Sequence, residues 1–153
     1  MIFTAEELAE ICRHAEADYP SECCGVVLAR GTAERLVLRC RNIQNELHQS
    51  DPIKHPRDAR TAYYIDPKDL LQIGRREGEG YRIEVIYHSH CDAASYFSET
   101  DKRNALLGGE PTYPATTYVV VSVVAGRVAT RAAYRWSADQ RDFLPLELKE
   151  LDA

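Results

Sequence analysis

Apolar and polar residues alternate along this chain with two periods, and the switches between them divide it into elements. Leu8, Ile11, Cys12 and Ala15 recur at helical spacing, and Thr4 with Glu7 supplies a capping box. The pattern predicts a helix from Ala5 to Ala17, stopped by Pro20 and packed by its apolar face on a sheet. The run Cys24 to Ala29 predicts a buried strand, Gly31 a turn, and Arg35 to Cys40 the antiparallel partner of a hairpin. From Asn42 to Arg60, Asp51-Pro52 and His55-Pro56 stand among many polar residues, which predicts an irregular, mobile excursion before a short strand at Ala62 to Ile65. Pro67 then opens a helix to Arg76, ended by Gly78-Glu79-Gly80. The apolar stretch Ile83 to Tyr87 is a strand, and Ser98 and Asp101 start a helix that runs to Leu107 and closes at Gly108-Gly109. Two strands, Thr117 to Ala125 and Arg127 to Trp136, join across Gly126, and Phe143 to Leu148 reads as an edge strand or a docking segment. Strands and helices interleave without a repeat or linker, so the expected class is α/β (α+β), with residues 1–153 forming one domain.

Composition narrows this little and excludes more. With 44% hydrophobic and 28% charged residues over 153 positions, the chain has the make-up of an ordinary globular protein with a sizeable core. A net charge of -5 argues against a nucleic-acid footprint. The N-terminus lacks a basic segment followed by an apolar stretch, and the longest apolar run, Tyr118 to Ala125, is too short for a membrane span. No membrane partner and a cytoplasmic location are therefore expected. The 5 cysteines include no Cys-x-x-Cys pair and are expected to be reduced thiols, with Cys23, Cys24 and Cys40 in or near the core. Whether the chain forms a homo-oligomer is left open.

The chemistry concentrates at the end of one strand. His88-Ser89-His90 follows Ile83 to Tyr87, and the two-residue period of a strand points both imidazoles out of the same face. Two such rings can close on one metal ion. Asp101, from the next segment, would add a carboxylate and complete the three-ligand set with an open position that marks catalytic zinc. Two neutral imidazoles and one carboxylate leave Zn²⁺ with a net charge of about +1, enough to lower the pKa of a bound water towards 7. The expectation is one Zn²⁺ per chain on His88, His90 and Asp101.

Glu22 near Cys24-Gly25, and His88-x-His90 followed after seven residues by Ser98 and after two more by Asp101, resemble the JAMM (MPN-plus) zinc metalloprotease motif. The element order is similar to that of the family across most of the chain. The resemblance implies a cytidine-deaminase-like three-layer fold with a central mixed β-sheet flanked by helices. It implies that Glu22 is the general base, touching water rather than metal and passing a proton to the leaving amine. It also implies that Ser98 donates a hydrogen bond to the oxyanion, a contribution of about 3 kcal/mol in other hydrolases. One departure is Cys91, where the family often has proline; it reads as a loop residue or one behind the ligands. Family members cut peptide or isopeptide bonds after the C-terminal Gly-Gly tail of ubiquitin-like proteins. The small single-domain bacterial members act on ubiquitin-like sulfur-carrier proteins, which makes such a carrier the expected substrate. Residues Asn42 to Arg60 are expected to shape the groove for the tail.

Each assignment has a plainer rival. Ser98-Glu99-Thr100-Asp101 is also an acceptable helix start, and Ser21-Glu22 could be a solvated turn. His14, His48 and His55 read as surface residues, and Tyr63, Tyr64, Tyr81 and Trp136 as packing. At the level of function, the alternatives are a non-catalytic MPN-type protein-binding module and a different metal hydrolase such as a phosphoesterase. The first usually lacks metal ligands that are present here, and the second commonly needs further clustered histidines or aspartates.

Overall fold

The computed structural model describes residues 2–147, in which a six-stranded sheet carries helices on both faces. The first helix is α1 (Ala5–Asp18), whose capping box is present as Thr4 accepts from the Glu7 amide while the Glu7 side chain accepts from the Thr4 amide. Two strands, β1 (Cys24–Arg30) and β2 (Glu34–Cys40), form the expected hairpin, with Gly31 at φ 59° in its turn. The excursion that follows is more ordered than its composition suggests. It holds a short helix, α2 (Gln44–Ser50), which Asp51 and Pro52 end rather than prevent. The strand expected at Ala62 to Ile65 is absent, and the segment makes only an isolated bridge between Asn42 and Ile65.

Helix α3 (Pro67–Gly78) leads into β3 (Arg82–Cys91), which runs through both histidines, as their shared face requires. The next helix, α4 (Glu99–Asn104), is shorter than expected. Gly108-Gly109 do not close it but form the turn between the two-residue strands β4 (Leu106–Leu107) and β5 (Glu110–Pro111). The long strands β6 (Thr117–Val124) and β7 (Arg127–Ser137) and the edge strand β8 (Asp142–Pro145) complete the sheet. That edge strand fulfils part of the tail expectation, and Leu148 lies outside the described residues.

Strand order is β2-β1-β3-β6-β7-β8, and β3 pairs antiparallel with β1 but parallel with β6, so the sheet is mixed. A parallel pair cannot be closed by a tight turn. The connection from β3 to β6 must therefore leave the sheet, and it carries α4 across the face on which the histidines lie. Alternation along the strands separates two cores. Val27, Val85, Tyr87, Val119 and Val121 pack with Ile11 and Ala15 of α1; Val26, Leu28, Ile86, Tyr118 and Val120 pack with Ile73 of α3 and Ala105 beyond α4. The result is a mixed α/β fold of three layers. Among the described residues no helix is long and apolar enough to cross a membrane.

Gly25 illustrates how tightly the first core is built. A Cβ at that position would lie 2.3 Å from the Tyr87 hydroxyl oxygen, because the ring of Tyr87 passes directly over the Gly25 backbone. That hydroxyl meets His14 Nδ1 at 2.8 Å, and His14 Nε2 faces Asp18 at 3.2 Å. His14 is therefore a buried core residue, contrary to its expected place on the surface, and burial lowers its pKa below the usual value. His48 and His55 are half-buried, with His48 Nδ1 facing the His55 carbonyl at 2.7 Å. Cys23, Cys24 and Cys40 are buried free thiols, as expected.

Candidate metal centre

Central position in the sheet explains why the two histidines are buried. Strand β3 has neighbours on both edges, His88 opposes Cys24 and Val120, and the α3/α4 layer covers the face to which it points. Ser89 points the other way, where its Oγ accepts from the Cys23 amide at 2.8 Å and locks β3 to the segment carrying Glu22. His88 and His90 are 0% and 6% exposed, so their ring nitrogens must find partners within the protein.

Those partners converge on one point. His88 Nε2 lies 3.1 Å and His90 Nε2 3.3 Å from Asp101 Oδ2, and the two Nε2 atoms are 3.3 Å apart. His90 Nδ1 donates to the Ala94 carbonyl at 2.8 Å, since a carbonyl can only accept. In a neutral ring, that leaves His90 Nε2 with a lone pair. Two acceptors, an imidazole nitrogen and a carboxylate oxygen, then face each other without a proton between them. Such a contact is repulsive unless a proton or a cation joins it. A tetrahedral ion with bonds of about 2.0–2.1 Å holds its ligand atoms about 3.3 Å apart. The triangle of His88, His90 and Asp101 has this size and this donor set, so these residues fit a divalent metal. Among the described residues they form the one group of three or more His, Cys, Asp or Glu side chains close enough to share an ion.

The supporting contacts are local and legible. Asp101 sits at the third position of α4, where its Oδ2 accepts from the Ser98 amide at 3.0 Å and the Ser98 Oγ accepts from the Asp101 amide at 3.0 Å. The helix-start interpretation of Ser98-x-x-Asp101 is thus correct, and it does not compete with a chemical one. The capping box holds the carboxylate in place and leaves the Ser98 hydroxyl proton free to donate. Burial acts to raise the pKa of Asp101, but His88, His90 and the Ser98 amide outweigh it and hold the carboxyl well below its usual range. Tyr63 stacks on His88 with ring centroids 4.5 Å apart, and Tyr96 meets His90 edge-on at 4.9 Å.

Glu22 lies outside the triangle but next to it. It is 4% exposed, and its backbone is gripped on both sides, its amide donating to the Ala59 carbonyl at 2.7 Å and its carbonyl accepting from Asn42 Nδ2 at 2.9 Å. The same Asn42 amide bonds the Ala62 carbonyl, while its Oδ1 accepts from the Gln44 and Tyr64 amides. Asn42 is therefore the clamp that fixes Glu22, a role the sequence does not signal. Burial first, and the negative charge of Asp101 second, push the Glu22 carboxyl up to about 9. Cys91 ends β3 half-buried, with burial pushing its thiol up to about 11. Neither the stacking of Tyr63 nor the clamp could be found by local pattern, because both join segments far apart in sequence.

Comparison with known proteins gives this geometry a context. Residues 4–139 match the family described as prokaryotic homologs of the JAB domain. The tail tip assembly protein K of Escherichia phage N15 is 36% identical over 92 residues, covering 60% of this chain and 31% of the phage protein. The chain thus spans less than a third of that relative's length. The CysO-cysteine peptidase of Mycobacterium tuberculosis is 28% identical over 123 residues, or 80% of this chain and 73% of the peptidase. Among solved structures, a protein from Desulfitobacterium hafniense superposes with a TM-score of 0.66 at 19% identity, covering 94% of this chain and 88% of that one. A protein from Salinibacter ruber gives 0.60 at 26% identity, over 94% and 87%.

Proposed function

The chain belongs to the family of prokaryotic homologs of the JAB domain, and on that footing we propose that it is a zinc-dependent metallopeptidase, residues 1–153 forming its one domain. Family and peptidase relative together support a JAMM-type hydrolase in general. The finer proposal is hydrolysis of a peptide or isopeptide bond after the C-terminal Gly-Gly tail of a ubiquitin-like sulfur-carrier protein, in the cytoplasm. The observation that carries it is the convergence of His88 Nε2, His90 Nε2 and Asp101 Oδ2 beside a buried carboxyl that is not one of the group.

In this proposal His88, His90 and Asp101 are the ligands. Zinc, when bound there, supplies Lewis-acid polarisation of water and carbonyl. Glu22 takes the water's proton and hands it to the departing nitrogen; burial raises this carboxyl to about 9, and a cation on the neighbouring triangle would favour its ionised, proton-accepting form. Asn42 and the Ala59 carbonyl keep Glu22 in place while it does so. Ser98, with its oxygen held by the Asp101 amide, donates its proton to the oxygen that gains charge. A tail of two glycines suits this site because glycine brings no side chain against the walls formed by Tyr63 and Tyr96. The excursion 42–60 supplies Asn42 and the neighbours of Ala59, which supports its role in shaping the groove.

The test is incubation of zinc-loaded protein with a ubiquitin-fold carrier ending in Gly-Gly and extended by one amino acid. Release of that amino acid, lost on chelation and restored by zinc, is expected; an inert zinc-loaded enzyme refutes the substrate assignment. A second reading rests on the phage tail tip relative, which has the higher identity: hydrolysis of a peptide bond in a tail protein during assembly. Cleavage of tail proteins but not of carrier adducts would select it.

A further inference from the structure

The loop 56–61 that holds the Glu22 amide also walls a polar pocket of about 410 Å³, whose lining includes Pro20, His48, Arg57, Arg60, Cys91 and Asp92. Its walls are thus the chain just before Glu22 and the chain just after His90. Nearly every polar group in it is already engaged. Arg60 pairs with Asp58 at 2.9 Å, Asp92 accepts from the Tyr19 hydroxyl at 2.6 Å and from the Ala125 amide at 2.9 Å, and His48 faces the His55 carbonyl. Among the charged side chains of the lining, Arg57 is the exception. Its carbonyl accepts from Gln44, but its exposed guanidinium makes no hydrogen bond or ion pair among the described residues. One uncommitted positive charge therefore stands in a pocket beside the group that returns a proton to the leaving nitrogen.

We propose that this pocket receives the leaving group and that Arg57 binds its α-carboxylate, so that the preferred substrate carries a single amino acid with a free carboxylate after the scissile bond. This rests on the reading of the site as a peptidase with Glu22 as proton carrier. In the reaction the carbon–nitrogen bond breaks, the carbonyl carbon takes the oxygen of water, and the nitrogen takes a proton by way of Glu22. In a free amino acid that nitrogen and the carboxylate are separated by one carbon, so a cation that recognises the carboxylate must stand close to Glu22. Arg57 meets this condition by position, since it stands two residues before Ala59, whose carbonyl holds the Glu22 amide, and lines the pocket together with Pro20, two residues before Glu22. A guanidinium also matches a carboxylate with two parallel hydrogen bonds. A protein joined through a lysine side chain has no carboxylate near the scissile nitrogen and would leave Arg57 unused.

Two synthetic peptides ending in Gly-Gly-Ala, one a free acid and one a carboxamide, test the proposal. Binding is measured by calorimetry on the zinc-supplemented Glu22→Gln protein, which does not consume them, and alanine or alaninamide release is measured on the protein with Glu22. The free acid should bind about ten-fold or more tightly than the amide, and Arg57→Ala should remove the difference while leaving amide binding unchanged. Equal affinities, no measurable binding of either peptide, or a preference that survives Arg57→Ala overturns the proposal. Selective binding without release would instead leave Arg57 its role and sink the peptidase reading. Release at equal rates from acid and amide would do the reverse.

Discussion

Replacing Glu22 by Gln should stabilise the metal-stripped protein while abolishing its activity. In the fold, burial reinforced by Asp101 and only partly offset by Arg57 raises the carboxyl from 4.5 to about 9. A folded pKa above the unfolded one means that the group's favourable contribution is complete below the unfolded value and is lost as pH rises through the folded one. Between those two points each pH unit subtracts about 1.4 kcal/mol from stability, because the unfolded chain ionises and the native one resists. At pH 7 the accumulated loss is roughly 3 kcal/mol. Glutamine has the same shape and no proton to lose, and the Glu22 contacts that hold its backbone do not involve its side chain. The stability gap between variant and parent should therefore open from near zero at pH 4.5 to roughly 3 kcal/mol at pH 7. Urea unfolding of chelator-treated protein across this range, with slopes compared to confirm two-state behaviour, measures it. Restoring zinc should shrink the gap, since a nearby cation favours the carboxylate. A gap that does not change with pH would refute the claim that Glu22 is a desolvated carboxyl.

Three further outcomes are expected. His88→Ala and Asp101→Ala should each lose zinc by elemental analysis, while Glu22→Gln keeps about one ion per chain as the catalytic-site stoichiometry requires; loss of zinc from Glu22→Gln would make Glu22 a ligand. Ser98→Ala removes a helix cap and, in the proposed mechanism, an oxyanion donor, so stability should fall by about 1 kcal/mol and kcat by about 10²–10³. A kcat that falls no further than the unfolding data explain would reduce Ser98 to its capping role. Gly25→Ala places a Cβ 2.3 Å from the Tyr87 hydroxyl and must push the ring off His14. Overpacking and a broken buried hydrogen bond together predict a loss of about 2–5 kcal/mol in chemical unfolding, and an unchanged midpoint would show that the ring has room to move.

What the sequence determined by itself was whatever depends on short-range periodicity. Both histidines share a face because a strand repeats every two residues, Asp101 is held by Ser98 because a capping box spans three, and Gly31 turns the hairpin because it can adopt a positive φ. The same locality explains the misreadings. Helix α2 forms despite its prolines because they fall after its end, and Ala62 to Ile65 fails as a strand because a single bridge to Asn42 is the pairing available to it. His14 reads as an exposed helical position, yet Tyr87 reaches it across 73 residues. The tertiary structure alone decided which groups are desolvated and which charges stay unpaired. Glu22 is raised by burial under a loop that Asn42 clamps, Tyr63 stacks on the His88 ring from a segment of no regular structure, and the Arg57 guanidinium has no hydrogen-bond or ion-pair partner among the described residues. Burial and Coulomb energy depend on distance in space: the segment 42–63 folds back onto Glu22 and His88, and the crossover from β3 to β6 adds Asp101, where no pattern along the chain records it.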